Sequence, residues 1–291
     1  MAQDATARDV LSSLRRDIAR VEGRLAETLV VRHHGAAVRD VVPLGAVRLD
    51  TALGGGLPAA GLVELHAAET RDAGAAAGFA LALTAMSRRE AVGPLLWVAT
   101  GEAFAEAGTP YAPGLAVRFG IAPEALLASS VRRLEDALWV AEEAAALGAL
   151  RAVILETREP APKLDLTATR RLHRRADGAG LPLFLLRQAG RATATAAPVR
   201  LVVAPAPAGE RPTATGTLEG SIGPPAFAVT VSRSRLAIPA TATLEWNEHE
   251  RAFREREPAR TAHTGAVAAL SGDRTDPARQ AGAVVALRDV A

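Results

Sequence analysis

Short apolar runs recur along most of this chain and predict β-strands. Several contain almost no polar position, which is typical of strands covered on both faces. The runs lie at Val38 to Val42, Leu62 to His66, Leu95 to Thr100, Leu126 to Ser130, Ala152 to Glu156, Leu183 to Leu186 and Val199 to Ala204.

The segments between several of these runs predict helices long enough to connect parallel strands. They are Ala75 to Ala91, Arg133 to Leu147 and Leu166 to Ala179. Strands that alternate with such helices form a mostly parallel sheet, with ligands expected at the carboxyl ends of its strands. The predicted fold class is therefore α/β, with a mostly parallel sheet flanked by helices.

The start of the chain has a different pattern. Apolar positions recur there at steps of three or four between charged ones, which predicts an N-terminal amphipathic helix within residues 1–35. Such a stripe packs on its own domain, on a neighbouring subunit or on a partner. Its apolar positions are Val10, Leu14, Ile18, Val21, Leu25 and Leu29.

Beyond Ala204 the runs become shorter and alternate with polar positions, which predicts antiparallel strands at one sheet edge. We place the core domain at residues 36–254. Residues 255–291 predict a flexible tail with a short helix at Pro277 to Val290. The late runs are Thr213 to Leu218, Ala226 to Ser232 and Thr241 to Trp246.

Composition removes several classes of chemistry. The chain has no cysteine, which excludes disulfides, thiolate catalysis and thiolate metal ligands. No apolar run approaches the ~20 residues of a membrane span, and the start of the chain is charged throughout, so we expect a soluble cytoplasmic protein without membrane contact. The net charge is only +2, so no strong overall field favours nucleic acid.

The chain contains 33 arginines but a single lysine, Lys163. It lies far along the chain from the strand at Leu62 to His66, where a strand-to-helix transition would hold a phosphate-binding loop. Such a loop needs glycines whose backbone N–H groups surround phosphate, a lysine for the terminal phosphates and a serine or threonine for magnesium. The sequence predicts the scaffold of a nucleotide site without its chemistry.

A glycine-rich segment before this strand is the most specific motif. Leu44 to Pro58 reads Leu-Gly-Ala-Val-Arg-Leu-Asp-Thr-Ala-Leu-Gly-Gly-Gly-Leu-Pro, and Gly61, Val63 and Glu64 follow it. With these residues the chain resembles the RecA family from about Val42 to Trp246, which implies a RecA-like core. Further similar segments are Val117 to Ile121, Val153 to Glu156, Leu183 to Gln188 and Val229 to Pro239.

Among RecA relatives the chain is most similar to ImuA, the inducible mutagenesis protein A family. The similarity lies in the long N-terminal helix, the lost phosphate loop and the chain length. It implies an accessory role in damage-induced mutagenesis. The implied partners are an inactive Y-family polymerase-like protein and RecA, in a cassette with an error-prone C-family polymerase.

The family register locates the degenerate loop. It places Ala67 at the first glycine, Asp72 at the second, Ala73 at the lysine and Gly74 at the serine or threonine. Arg71 has the charge of the lost lysine, but we expect it to pair with Asp72. We therefore expect no cofactor and no ATPase activity. The vestigial loop comprises Ala67, Ala68, Glu69, Thr70, Arg71, Asp72, Ala73 and Gly74.

Two acidic residues take positions that matter in the family. Glu156 takes the place of the family's aspartate that is coupled to magnesium. Glu102 lies near the position of the family's acidic residue that would orient an attacking water. Because no phosphate contacts are expected, we interpret both as solvated carboxylates at strand ends.

A basic cluster falls on the predicted helix at Leu166 to Ala179, whose apolar neighbours Leu164, Leu166 and Leu172 we expect to face inward. Charge runs on helices are usually solvated faces, and phosphate contact with DNA is the alternative. The candidate DNA-facing residues are Arg170, Arg171, Arg174, Arg175 and Arg191.

The segment from Gln188 to Ala197 takes the place of a DNA-contacting loop in RecA-like proteins. It contains no aromatic residue on which a base could stack, so we expect DNA contact to be weak or indirect. The adjacent His33 and His34 have no acidic or cysteine companion at ligand spacing, so no metal site is expected.

Three functions remain open. The favoured one is a non-catalytic adaptor of error-prone translesion synthesis, binding partners through the N-terminal stripe (Val10, Leu14, Ile18, Val21, Leu25) and the tail. The second is an ATPase or recombination mediator that acts on single-stranded DNA. The third is a SulA-like inhibitor of cell division, from another RecA-like branch.

Overall fold

The computed structural model describes residues 40–87, 93–147, 149–190 and 192–256. In this part the chain forms a nine-stranded sheet, two small two-stranded sheets and a set of flanking helices. The predicted N-terminal helix, His33, His34, Arg191 and the predicted short helix of the tail lie outside the described residues.

The strands follow the predicted apolar runs closely in the first two thirds of the chain. They are β1 Val41–Val42, β2 Leu57–Pro58, β3 Gly61–Ala67, β4 Leu95–Thr100, β5 Leu126–Val131, β6 Ala152–Arg158, β7 Pro182–Gln188, β8 Val199–Ala206, β9 Arg211–Thr213, β10 Gly216–Leu218, β11 Ala226–Arg233, β12 Ala240–Asn247 and β13 Ala252–Arg256.

Six α-helices lie between strands in the described residues. Short 3₁₀ helices at Thr70–Asp72 and Pro123–Ala125 precede α2 and β5. The α-helices are α1 Val47–Leu53, α2 Ala73–Met86, α3 Gly101–Ala107, α4 Ala112–Phe119, α5 Leu134–Leu147 and α6 Leu166–Gly178.

The main sheet has the order β13-β12-β11-β8-β3-β7-β6-β4-β5. Strands β8, β3, β7, β6, β4 and β5 pair in parallel, whereas β11, β12 and β13 extend the β8 edge in antiparallel fashion. This arrangement confirms the predicted α/β class, with a mostly parallel sheet and antiparallel strands at one edge.

Helices cover both faces of the parallel part of the sheet. Alternation along β3 directs Val63 and Leu65 into the core beneath α2, and Leu62 into the core beneath α5 and α6. Gly61 begins this strand with φ of 89°, and a Cβ there would come within 2.8 Å of the His173 ring. Glycine therefore lets α6 pack closely against the start of β3.

Several predicted boundaries are wrong. Strand β1 contains only Val41 and Val42, and it pairs with β2 outside the main sheet. The run at Thr213 to Leu218 is not one strand but parts of β9 and β10, a separate exposed hairpin. Strand β13 includes Glu255 and Arg256, which the sequence pattern places in the tail. Helix α2 begins at Ala73 and ends at Met86, before the predicted limit.

Within the four described ranges, no helix is long and apolar enough to cross a membrane.

Candidate functional site

In a sheet of this topology, a ligand is expected at the carboxyl ends of the adjacent strands β3 and β7. The helix that follows β3 lies on one face of the sheet, and the helix that precedes β7 lies on the other. Such a switch between adjacent parallel strands opens a crevice at their carboxyl ends. Ala67 ends β3 there, and its carbonyl accepts a hydrogen bond of 3.0 Å from the Ala189 N–H after β7. The vestigial loop therefore borders the crevice.

The vestigial loop closes on itself through a capping box. The Glu69 backbone N–H donates to Asp72 Oδ2 at 3.3 Å, and the Glu69 side chain accepts from the Asp72 backbone N–H. Asp72 is only 8% exposed. The two carboxylates thus close the 3₁₀ turn that leads into α2, and they place negative charge just before a helix N-terminus, where an anion would otherwise be attracted.

Arg71 does not pair with Asp72 as expected. Its Nε lies 2.9 Å from Glu69 Oε2, and the side chains of both residues are largely exposed. The 3₁₀ turn places Arg71 outward, while Asp72 turns inward to cap Glu69. The exposed pair keeps the Arg71 charge at the surface, so this arrangement does not reproduce a lysine directed at phosphate.

Glu156 is not the solvated carboxylate that we expected. It is 3% exposed and lies on the α2 side of β6 between two strands. Trp97 Nε1 of β4 donates to Glu156 Oε2 at 2.9 Å, and Gln188 Nε2 of β7 donates to Oε1 at 2.5 Å. Burial raises the pKa of Glu156, and the two hydrogen bonds offset only part of that effect.

Trp97 and Gln188 are site residues that sequence reasoning missed. Each lies on a strand beside β6 and faces the same side as Glu156. Gln188 is buried, and its Oε1 has no hydrogen-bond partner among the described residues. Glu102, in contrast, is exposed in the first turn of α3, as a solvated carboxylate should be.

A second buried network lies on the opposite face of the sheet. Arg200 Nε of β8 lies 2.7 Å from Glu64 Oε2 of β3, and His66 Nε2 lies 3.4 Å from the same oxygen. Burial acts to raise the pKa of the Glu64 carboxyl, but hydrogen bonds from His66 and Arg200 and the Arg200 charge outweigh it and lower that pKa to about 2. Glu64 is therefore a charged partner of a buried arginine at neutral pH.

The predicted DNA-contacting loop is tied to this network. Arg187 Nη1 donates to Thr193 Oγ1 at 2.7 Å, and Arg200 Nη2 donates to the Thr193 carbonyl at 2.5 Å. The Ala196 N–H donates to Thr169 Oγ1 of α6 at 3.0 Å. Arg187 is itself paired with Glu159. Several bonds from buried side chains hold the described part of this segment against the sheet.

The arginines of the basic cluster on α6 are exposed, which both a solvated face and contact with DNA require. Arg171 Nε lies 2.9 Å from Glu142 Oε1 of α5, and Arg175 Nη1 lies 3.1 Å from Glu143 Oε1. Arg170 and Arg174 are also exposed. Leu172 is buried, but Leu166 is 39% exposed, so the expectation that Leu166 faces inward is wrong.

Lys163 takes part in a different surface feature. Its Nζ lies 3.4 Å from Glu135 Oε1 of α5, and both residues line a groove that also contains Trp139. Trp139 is 65% exposed. In the described part of the chain, no group of three or more histidine, aspartate or glutamate side chains could hold a metal ion.

Comparison with known proteins adds no family assignment. No family model matches this chain, and a search of curated proteins found no match.

Proposed function

We propose that this chain is a non-catalytic, RecA-like accessory protein of damage-induced, error-prone translesion DNA synthesis, acting through protein–protein contacts. The sequence resemblance to the ImuA family supplies the pathway and the partners, an inactive Y-family polymerase-like protein and RecA. One structural observation carries the non-catalytic part, namely the reciprocal hydrogen bonds of Glu69 and Asp72 in the 3₁₀ turn that precedes α2.

The physical argument concerns charge. A carboxylate about 5 Å from a phosphate repels it by about 3 kcal/mol per unit charge at an effective dielectric constant near 20. Loss of a lysine contact removes about 1.5 to 3 kcal/mol more. Together these terms take up more than half of the ~8 kcal/mol of a micromolar complex. The closed turn therefore favours a protein that works without nucleotide.

An open sheet edge supports action through protein contacts. Among the described strands, β5 ends the main sheet, and its sequence Leu-Leu-Ala-Ser-Ser-Val contains no charge. Leu127 on this strand is exposed. Natural proteins usually protect edges with charges, as β13 does with Arg254, Glu255 and Arg256. An unprotected edge can accept a strand from a partner.

The first experiment measures the frequency of ultraviolet-induced mutation in the parent organism with and without the gene. We expect a large drop on deletion and full restoration by the wild-type gene and by Asp72→Ala. Restoration by Asp72→Ala matters because it separates the role of the protein from the vestigial loop. An unchanged frequency on deletion would contradict the proposed pathway.

Two surface variants test the adaptor role with the purified polymerase-like partner. Leu127→Lys places a charge on the open edge, and Leu14→Asp with Ile18→Asp interrupts the N-terminal stripe. We expect each to weaken partner binding while circular dichroism stays unchanged. Leu147→Lys on α5 is the matched control, because Leu147 is exposed but lies off the edge strand. If all variants bound the partner equally well, neither the β5 edge nor the N-terminal stripe would be a binding surface.

The two alternatives predict different results. An ATPase or recombination mediator would bind nucleotide with magnesium in the micromolar range and hydrolyse it faster with single-stranded DNA. A division inhibitor would cause cell filamentation on overproduction. Either result would replace the adaptor proposal.

A further inference from the structure

A cavity of about 650 Å³ lies at the antiparallel end of the molecule, away from the vestigial loop. Its walls come from helix α4, from the end of β12 and the turn after it, from β13, and from the segment that includes β9. A volume of several hundred cubic ångströms is typical of a ligand site. Its lining includes three arginines, Arg118, Arg211 and Arg254, and two carboxylates, Glu245 and Glu248, of which Glu245 pairs with Arg256. Ile222 and Trp246 supply the apolar part of the wall.

The arginines of this cavity are not equivalent. Arg118 Nη1 lies 3.2 Å from Glu248 Oε2, and Arg254 is paired with Glu250. Arg211 is exposed, and its guanidinium forms no ion pair within the described ranges. Its backbone N–H donates to Ser221 Oγ at 2.8 Å, which fixes the base of the side chain. Judged by the described residues, Arg211 is therefore the cavity arginine that is available to an incoming anion.

An apolar surface lies beside that cation. Ile222 on the cavity wall is 81% exposed, and Leu218 of the neighbouring β10 is 53% exposed. Trp246 forms a rigid part of the wall, because its ring is buried and its Nε1 donates to the Arg118 carbonyl at 2.9 Å. An exposed isoleucine next to an unpaired arginine suits a ligand that has an apolar group next to an acidic one.

We propose that this cavity binds an acidic, amphipathic peptide segment of a partner protein. An acidic side chain would pair with Arg211, and a neighbouring apolar side chain would cover Ile222. This inference rests on the proposed function in one respect, which is that the ligand is part of a partner protein. The remaining segments of the chain do not match this chemistry. Residues 1–39 contain seven arginines against five acidic residues, and residues 257–291 contain four of each.

Fluorescence anisotropy tests this site directly with the full-length protein. The probe is a fluorescein-labelled peptide, Asp-Leu-Glu-Phe-Asp-Leu-Glu-Leu, and its control has lysine at every acidic position. We expect the wild type to bind the acidic peptide only, with affinity that falls as salt is added. Arg211→Ala should weaken binding about tenfold, the effect of losing one charge-assisted contact. Ile222→Ser should also weaken it.

Arg174→Ala is the matched control, because Arg174 is an exposed arginine on α6 that does not line this cavity. It should bind like the wild type. Equal losses for Arg174→Ala and Arg211→Ala, or no binding by the wild type, would overturn the proposal. Competition by free glutamate as effective as unlabelled peptide would also overturn it, because the site would then take small anions. None of these results depends on the ultraviolet mutation assay, so the two proposals fail separately.

Discussion

Glu64 and Glu156 are both buried carboxylates on parallel strands of one sheet, yet their pKa values move in opposite directions. Burial acts to raise the pKa of both. Glu64 has Arg200 at 2.7 Å, and this cation with His66 reverses the effect. The donors to Glu156 in the described part of the chain, Trp97 and Gln188, are both neutral, so its pKa stays raised. The charge of the partner, more than the depth of burial, decides whether the pKa of each carboxyl is raised or lowered.

The largest expected effect comes from breaking the charged pair. Glu64→Leu leaves Arg200 as a buried cation without its partner, and this should lower the free energy of unfolding by about 3 to 5 kcal/mol at neutral pH. Urea denaturation measures it. The double variant with Arg200→Met should recover most of the loss. A cost below about 1 kcal/mol for Glu64→Leu would show that the pair contributes little.

Acid should remove the contribution of Glu64. Its pKa is lowered from 4.5 to about 2, so its stabilisation is fully present above pH 4.5 and is lost as the pH falls towards 2. The difference corresponds to about 3 kcal/mol. Because the Glu64→Leu, Arg200→Met variant lacks this carboxyl, the stability of the wild type should fall relative to that of the variant over that range. Parallel pH profiles would contradict the lowered pKa.

Glu156 should show a weaker pH dependence of the opposite sign. Because its folded-state pKa is raised, the folded protein binds a proton that the unfolded chain has lost, and stability decreases as pH rises from about 4.5 through the folded pKa. Glu156→Gln should abolish that decrease, with the Gln188 amide reoriented to accept from the new one. Glu102→Gln is the exposed control and should keep the wild-type slope.

Trp97→Phe should give the smallest change. It removes the donor to Glu156 Oε2 but keeps an aromatic ring, so we expect a loss of about 1 kcal/mol and a further rise in the pKa of Glu156. Trp139→Phe alters an exposed tryptophan and should leave unfolding unchanged. If the two variants behaved alike, the Trp97 hydrogen bond would have no measurable role.

The strands of the parallel sheet were predictable because their sequences have uninterrupted apolar character. Strand β4 has the predicted limits, Leu95 and Thr100. Strand β13 escapes prediction because its last three residues are all charged and Phe253 is its one buried member. The pattern at Thr213 to Leu218 predicts a single strand, which is wrong. Strand β10 is exposed along its whole length, so the alternation of residue types there does not mark a buried face.

The candidate site was less predictable, since its contacts join distant parts of the chain. Trp97 lies 59 positions from Glu156, and Gln188 lies 32 positions from it. The order of β7, β6 and β4 in the sheet brings these three residues together, and the hydrophobic periodicity of the sequence does not specify that order. The capping box is different, because Glu69 and Asp72 are three residues apart. That spacing before a helix was a readable local signal.

Lys163 gives this chain an unusual practical property. Its amine is the only side-chain amine in the sequence, and its side chain is largely exposed beside the groove that contains Trp139. An amine-reactive dye would therefore label one known side chain, with the amino terminus as the only other target. Quenching of that dye by Trp139 would then report, without cysteine engineering, when a partner covers α5.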